Sequence, residues 1–133
     1  MAARLKLRRT GERAKCRFCS RTLPRPKKRE DSLHPNLPGA HCPCGAVFVV
    51  DPTGRNGGVA LIEALQGASG LREADAAMLL RRRDYEDFIE NYDTRDHRFI
   101  TGFRGYRRGM PRLYLVKLIS PDDSSPAAGD REE

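Results

Sequence analysis

Residues 42–50 read Cys42-Pro43-Cys44-Gly45-Ala46-Val47-Phe48-Val49-Val50, a pair of cysteines that runs directly into a row of apolar side chains. Another pair, Cys16-Arg17-Phe18-Cys19, precedes it in the chain. The apolar row ends at Asp51-Pro52-Thr53-Gly54, a turn sequence, and is typical of a buried strand. Two close pairs of thiols are a common ligand set for tetrahedral Zn²⁺, because each pair brings two ligands together with little loop entropy. The sequence therefore predicts one structural Zn²⁺ held by Cys16, Cys19, Cys42 and Cys44.

The residues around the second pair bear on how the metal is held. Gly45 suits the turn of a metal knuckle, where backbone amides point toward sulfur and φ must be permissive. His41 is an alternative ligand in place of one cysteine. Two other uses of the cysteines stay open. A redox dithiol is disfavoured because no βαβ context surrounds Cys16, and disulfides are disfavoured because no secretion signal is evident.

The cysteine pattern resembles the zinc-ribbon family over residues 16 to about 50. The matching parts are Cys16-Arg17-Phe18-Cys19, with Phe18 at an apolar knuckle position, and Cys44-Gly45. The single residue between Cys42 and Cys44 is a shorter spacing than the family pattern. The resemblance implies two knuckles against a small sheet, a structural metal, and a frequent link to nucleic acid or to the transcription and translation machinery. Zinc ribbons also serve only to hold folds together, so the resemblance does not fix a function.

Two apolar patterns after the turn predict a pair of helices. The first helix begins at an Asn56 cap and ends at Gln66, with an inner face of Val59, Ile62 and Leu65. The second helix covers residues 71–82, with an inner face of Leu71, Ala74 and Met78 and with Leu79 as a further candidate.

A third helix is predicted from Asp84, because the next apolar residues recur at i, i+3, i+4 and i+7. These residues are Tyr85, Phe88, Ile89 and Tyr92. Residues 98–104 and 112–119 are predicted to be two strands of a C-terminal hairpin. The second strand is nearly all apolar, so we expect both of its faces to be covered.

The predicted fold class is α+β: an N-terminal zinc ribbon followed by a strand, two or three helices and a C-terminal β-hairpin. Residues 1–15 are predicted to be a basic flexible arm and residues 16–50 the four-Cys ribbon. Residues 51–120 are predicted to be an α+β part that shares a core with the ribbon. Residues 121–133 are predicted to be a disordered acidic tail.

Charge is distributed unevenly along the chain. The chain has 25 Lys and Arg against 18 Asp and Glu, a net charge of +7. Most of the surplus lies in residues 1–44 and 99–120, whereas residues 45–98 and 121–133 are net acidic. Clustered cations favour a polyanion partner because they release counterions from phosphates, although solvated basic tails give the same composition. The candidate nucleic-acid contacts are Lys27, Lys28, Arg29, Arg104, Tyr106, Arg107 and Arg108, with Tyr106 stacking on a base.

Two other segments have partial features of a site. Residues 54–58, Gly-Arg-Asn-Gly-Gly, precede a helix and offer amides to a phosphate, but they lack the Lys-Ser/Thr of a P-loop, which favours a turn with a helix cap. Residues 93–97 place His97 beside two carboxylates, in what is expected to be a turn after a helix. No serine or cysteine has an evident partner base, so the sequence predicts no enzyme.

The chain has neither the roughly 20-residue apolar run of a membrane helix nor the apolar segment of a signal peptide, so we expect a cytoplasmic protein with no membrane partner. The first predicted function is a non-enzymatic zinc-binding module that contacts nucleic acid, RNA or a ribonucleoprotein rather than DNA, through its basic segments. The alternative is a zinc-stabilised protein-interaction or regulatory adaptor. Its docking face would be the acidic middle of the chain, Glu86, Asp87, Glu90 and Asp93.

Overall fold

Five antiparallel strands and two helices make up the computed structural model, which describes residues 12–28, 37–100 and 109–119. In chain order they are β1 (Gly39–His41), β2 (Val47–Asp51), α1 (Gly57–Ser69), α2 (Glu73–Ala76), β3 (Tyr85–Asp93), β4 (Arg98–Phe99) and β5 (Arg112–Leu118). The strands form one curled sheet in the order β1-β2-β5-β3-β4. The mixed helix and strand content agrees with the predicted class. Neither described helix has the length and apolar character that a membrane span needs.

The two central strands, β2 and β5, carry apolar side chains on both faces of the sheet. One face of the pair packs against α1 and includes Val47, Val49, Tyr114 and Val116. The other face packs against the cysteine-bearing segments and includes Phe48, Val50, Leu113 and Leu115. β2 is buried along its whole length. The predicted buried strand after Cys44 and the predicted strand at 112–119 are therefore both present.

The carboxylate of Asp51 fixes the turn between β2 and α1. It is fully buried, and it accepts hydrogen bonds from the backbone and the hydroxyl of Thr53 and from the backbone N–H of Asn56, over 3.1, 2.9 and 2.7 Å. Asn56 is the N-cap residue of α1, as predicted, but its side chain makes no cap bond. A buried carboxylate therefore lies at the start of this helix, which favours the predicted capped turn over a phosphate-binding loop at residues 54–58.

The predicted faces and lengths of the helices are partly wrong. α1 continues to Ser69, and its buried side chains are Ala60, Glu63, Ala64 and Leu65, whereas Val59 is exposed. Two alanines on the inner face suit close packing of the helix on the sheet. α2 covers only Glu73–Ala76 instead of 71–82, and Met78 is 76% exposed. The helix thus ends six residues before Arg82, the predicted last residue, whose φ of 70° is not helical.

The predicted third helix is wrong, because residues 85–93 form β3. The spacing of the four apolar residues satisfies one helix face, but it also divides them between the two faces of a strand. Tyr85 and Ile89 lie on the α1 side, and Phe88 and Tyr92 lie on the cysteine side. A sheet covered on both faces does not need a polar residue at every second position, and seven consecutive pairs with β5 outweigh local helix propensity. Phe88, one of the four residues whose spacing predicted the helix, is 39% exposed.

The predicted C-terminal hairpin is not found among the described residues. β4 pairs with β3 through Tyr92–Phe99 and Asp93–Arg98, and β5 lies between β2 and β3. Residues 101–104 of the predicted strand lie outside the described ranges, as do most of the predicted arm at 1–15 and the predicted tail at 121–133.

Candidate metal centre

The first cysteine pair lies in a tight turn between two paired backbone segments. Lys15 pairs with Thr22 at the base of the turn. Inside it, the N–H of Cys16 donates to the carbonyl of Arg21 and the N–H of Ser20 donates to the carbonyl of Cys16, both over 2.8 Å. Ser20 has a φ of 70°, so the chain reverses through a left-handed residue directly after Cys19. The reversal holds both sulfurs of the pair on the inner side of the turn.

The second cysteine pair lies in the turn that joins β1 to β2. The N–H of Cys42 donates to the carbonyl of Ala46 over 2.8 Å, and the N–H of Gly45 donates to the carbonyl of Cys42 over 2.9 Å. Gly45 has a φ of 104°, a conformation that residues with a Cβ rarely adopt. The need for glycine that was inferred from the sequence is therefore confirmed.

The two turns bring all four thiols together. The Sγ atoms of Cys16 and Cys44 are 3.6 Å apart, those of Cys19 and Cys42 are 3.4 Å apart, and all four lie within 4.8 Å of one another. Four sulfurs around one tetrahedral Zn²⁺ would be about 3.8 Å apart, given Zn–S bonds of about 2.3 Å. All four cysteines are free thiols rather than disulfides. The arrangement is compatible with one bound metal ion, and the donor set of four thiols fits a soft or borderline ion.

Backbone amides point at the sulfurs in both turns. The N–H of Phe18 donates to Sγ of Cys16 over 3.4 Å. The N–H of Arg21 donates to the sulfur of Cys19 and lowers the pKa of that thiol to about 7. Burial raises the pKa of Cys16, and it raises the pKa of Cys42 to about 12. The buried thiols thus need a cation to become thiolates, which is the coupling expected of a metal site.

Arg17 is held in an ion-pair network beside the first turn. Its guanidinium contacts Glu12 over 2.9 Å and Glu90 over 3.0 Å, and it lies 4.8 Å from the ring centroid of Phe99. Burial lowers the pKa of Arg17, but the two carboxylates outweigh it and the pKa is raised. Arg17 therefore links the turn to β3 and β4. Its charge is already balanced by these two carboxylates.

His41 lies apart from the ligand group. It is exposed at the end of β1 and pairs with Val47 of β2. The four ligand atoms that converge within the described residues are all cysteine sulfurs. The alternative in which His41 replaces a cysteine is thus not favoured by the geometry.

His97 is a buried structural residue. Its Nδ1 is 2.5 Å from the hydroxyl of Tyr92, and its Nε2 is 2.6 Å from the carbonyl oxygen of Leu23. The backbone carbonyl of the same residue accepts from the N–H of Ala14 over 3.1 Å. Both ring nitrogens are thus engaged, and the segment 93–97 joins the first cysteine turn to the sheet.

The candidate nucleic-acid residues are only partly described. Lys27 and Lys28 are exposed on the segment that pairs with β1 through Lys27 and Gly39. Arg29, Arg104, Tyr106, Arg107 and Arg108 lie outside the described residues. Three further cations, Arg13, Lys15 and Arg21, are exposed on the first turn but were not among the predicted nucleic-acid contacts. The signal was present, because Arg13 and Lys15 alternate with Ala14 and Cys16, which are buried.

No family model matches this chain, and no curated protein or solved structure is similar to it at a significant level. The resemblance to zinc ribbons therefore rests on the cysteine pattern, and the site must be interpreted from its own geometry.

Proposed function

We propose that this chain is a non-enzymatic zinc-binding protein that contacts nucleic acid, with RNA or a ribonucleoprotein favoured over DNA, through basic residues on and beside the cysteine turns. The observation that carries the metal part is the convergence of four thiols from two turns within 4.8 Å. Zn²⁺ is the ion that four thiolates in tetrahedral arrangement most often hold in a structural site.

The cysteine turns also carry a surplus of positive charge. Residues 12–28 contain seven Lys and Arg against one Glu. Among the described ion pairs, Arg17 is the one cation of this segment that meets a carboxylate. The other six basic side chains of the segment are exposed, and one of them, Arg25, donates to the carbonyl of Arg95 over 3.2 Å. These six are Arg13, Lys15, Arg21, Arg25, Lys27 and Lys28. Cations that do not serve internal ion pairs are available to phosphates, and this supports a polyanion partner.

The absence of a catalytic role is supported by the chemistry of the candidate groups. A site with four cysteine ligands is closed, whereas catalytic zinc keeps a position for water or substrate. Both ring nitrogens of His97 are engaged with Tyr92 and Leu23. Neither group is therefore poised to act on a substrate.

The metal part is tested by native mass spectrometry of the full chain purified without added metal. We expect one zinc ion per chain, and Co²⁺ exchanged into the site should give the visible absorption of tetrahedral thiolate coordination. A Cys44→Ser variant should bind zinc more weakly, whereas a Thr22→Ala variant, an exposed change in the same region but not at a ligand, should keep it. A chain that folds and carries no metal would refute the proposal.

The nucleic-acid part is tested by fluorescence anisotropy of a labelled single-stranded oligo-uridine at several salt concentrations, with zinc bound throughout. Each phosphate contact to a single strand contributes about −0.7 to the slope of log affinity against log salt. The double variant Lys27→Ala/Lys28→Ala should therefore flatten the slope by about 1.4. The matched control is Arg55→Ala/Arg72→Ala, which removes two exposed cations outside the cysteine turns and should leave the slope unchanged.

Binding weaker than about 100 μM at low salt would contradict the nucleic-acid part, since non-specific binders usually reach that affinity at physiological salt. Equal effects of the two double variants would mean that the contact is not on the cysteine turns. The adaptor function would then lead, and the exposed Phe88 and Ile89 on acidic β3 are the observation that favours it.

A further inference from the structure

The first cysteine turn contacts β3 through two aromatic rings. The ring centroids of Phe18 and Phe88 are 5.2 Å apart, and the ring planes are inclined by 66°. The neighbouring residue of the turn, Arg17, lies 3.0 Å from the carboxylate of Glu90 on β3. Two adjacent residues of the turn therefore contact one face of β3, and together they fix the position of the rings. We call Phe18 and Phe88 the aromatic pair.

The aromatic pair is partly accessible to solvent. Phe88 is 39% exposed, and Phe18 is half-buried beside it. The backbone of Phe18 is held as well, because its N–H donates to Sγ of Cys16 over 3.4 Å. An exposed ring that its neighbours already hold in place can receive a flat ligand with little further ordering, which keeps the entropic cost of binding low.

The first cysteine turn surrounds the aromatic pair with positive charge. Arg13, Lys15 and Arg21 are exposed on this turn, which packs on the same face of the sheet as Phe88. Residues 12–28 contain seven Lys and Arg against one Glu, so a positive surplus remains after the two net negative charges of a zinc ion with four thiolates. The charge of the turn is complementary to phosphate.

The carboxylates of β3 do not cancel this surplus, because each one next to Phe88 has a cation beside it. Glu86 is directly opposite Lys117 in the pairing of β3 with β5. Asp87 lies 3.0 Å from Arg81. Glu90 is the carboxylate that binds Arg17 of the turn.

Phe88 stands apart from the other exposed large apolar side chains of the described residues. Those lie on α1, around α2 or on the α1 face of β3, and they are Val59, Leu71, Met78, Leu80 and Ile89. A stable protein interface buries about 800 Å² on each partner around a cluster of anchor residues. One ring pair among charged side chains is too small for such a cluster, whereas it is large enough for one nucleobase.

We propose that the aromatic pair is a stacking site for an unpaired base, and that the nucleic acid at the cysteine turns is therefore single-stranded. A base stacks on the exposed surface of Phe88, Phe18 holds that ring, and the exposed cations of the turn bind the adjacent phosphates. In a duplex each base is already stacked between its neighbours and cannot enter the site. This inference rests on the proposed nucleic-acid function and adds the form of the ligand.

The first experiment compares a labelled single-stranded RNA of mixed sequence with the same strand annealed to its complement, on the zinc-loaded full chain. A duplex has the higher charge density, so a purely ionic contact would bind it at least as tightly. We expect the protein to bind the single strand more tightly. Phe88→Leu should bind the single strand about tenfold more weakly and the duplex as before. Tenfold is about 1.4 kcal/mol, within the contribution of one stacked base.

Matched variants separate the ring from other properties of its position. Phe88→Tyr keeps an aromatic ring and should retain single-strand binding. Ile89→Ala removes an exposed apolar side chain from the other face of the same strand and should leave both affinities unchanged. Phe88→Leu should also leave the slope of log affinity against log salt unchanged, because stacking is not ionic.

A fluorescent reporter can be placed at the site, because the chain contains no tryptophan. Phe88→Trp should emit as an exposed indole in the free protein, and oligo-uridine should quench that emission by stacking. An abasic strand of the same length and charge should not quench it. The control Ile89→Trp should respond to neither strand.

The abasic strand also tests the unaltered protein, which should bind it about tenfold more weakly than oligo-uridine, whether or not Phe88→Leu folds. Equal affinity for these two strands would overturn the stacking site, as would tighter binding of the duplex. Emission of a buried indole from free Phe88→Trp would overturn it as well, because the chain itself would then cover the ring. Salt-dependent binding in these cases would still support the proposed nucleic-acid function. No binding of any strand would refute that function and the stacking site together.

Discussion

The hydroxyl of Tyr92 donates a hydrogen bond of 2.5 Å to Nδ1 of His97, and the two rings meet edge to face. The other ring nitrogen, Nε2, lies 2.6 Å from the carbonyl of Leu23, which can only accept, so Nε2 carries the proton. A strand residue, a turn residue and the cysteine-bearing segment are thus joined through one imidazole with both nitrogens satisfied. The first cysteine turn is held on the sheet by polar contacts that do not involve the metal.

Removal of this imidazole should destabilise the protein strongly. His97→Ala leaves the hydroxyl of Tyr92 and the carbonyl of Leu23 without their partner, and each buried unsatisfied group costs about 1–3 kcal/mol. We expect a loss of about 2–4 kcal/mol in the free energy of unfolding, measured by denaturant titration of the zinc-loaded protein. Thr94→Ala, an exposed change in the same turn, should cost less than about 0.5 kcal/mol. Similar losses in the two variants would contradict this role of His97.

Tyr92 should make the fold sensitive to alkali. Burial raises the pKa of Tyr92 from 10.0 to about 12. Between these values the unfolded chain has lost the phenolic proton while the folded chain keeps it, so stability is full below pH 10 and falls as the pH rises toward 12. The loss should amount to about 2–3 kcal/mol. Tyr92→Phe should be less stable at neutral pH but should show a shallower decline between pH 10 and 12, and an unchanged decline would contradict the assignment.

Metal removal should disturb the packing of the central strands as well as the two cysteine turns. Cys16 and Cys42 lie in the same cluster of buried side chains as Phe48 and Leu115, so separation of the thiolates opens one face of the central strands. We expect a chelator to shift the amide resonances of residues 14–23 and 42–50 and to lower the midpoint of thermal unfolding. The α1 resonances serve as the internal reference, since α1 packs on the opposite face. Unchanged amide shifts in the cysteine turns after zinc removal would contradict a structural metal.

Two glycine substitutions should act in opposite directions. Gly45→Ala forces a Cβ into a φ of 104° and should cost about 1–3 kcal/mol, although no neighbouring atom obstructs the new methyl group. Gly58→Ala lies in α1, where the added Cβ also meets open space, and should stabilise the helix by up to about 1 kcal/mol. Denaturation midpoints of the two zinc-loaded variants measure both effects. A harmless Gly45→Ala would mean that the second cysteine turn tolerates a different backbone path.

Two phenylalanines on the same face of the sheet should differ in cost. Phe48→Ala removes a fully buried ring and should cost about 3–5 kcal/mol. Phe88→Ala removes a ring that is 39% exposed and contacts Phe18 at its edge, so it should cost markedly less, about 1–2 kcal/mol. Equal losses in the free energy of unfolding would place Phe88 in the core, as its helical spacing suggested.

The features that could be predicted from the sequence are those encoded by short-range chemistry. The spacing of the cysteines, the glycine after Cys44 and the unbroken apolar run of β2 each have one dominant interpretation. The strand at 85–93 could not be predicted in this way, because Tyr85, Phe88, Ile89 and Tyr92 fit a helix face and also the two faces of a strand covered on both sides. The deciding contacts come from β5, which follows later in the chain.

The long-range contacts around the site could not be predicted from the sequence either. The ion pairs of Arg17 join residues that are 5 and 73 positions apart, and the bond from His97 to Leu23 spans 74 positions. Local pattern carries no information about such partners. Asp51 is an example at shorter range. Its carboxylate accepts the backbone N–H of Asn56 at the start of α1, because the turn brings the buried acid within reach, and the Asn56 side chain makes no cap bond.

The position of β5 between β2 and β3 has a consequence for the order of assembly. During synthesis β2 leaves the ribosome long before residues 112–118, yet β5 is its main partner in the sheet. Until β5 arrives, Val47–Val50 expose apolar side chains on both faces, a typical hazard for aggregation. Both cysteine turns have been synthesised by residue 46. A metal ion that binds early can therefore hold the cysteine-bearing segments against one of those faces while the chain is still growing. Zinc supply during translation should therefore influence the yield of soluble protein as well as its final stability.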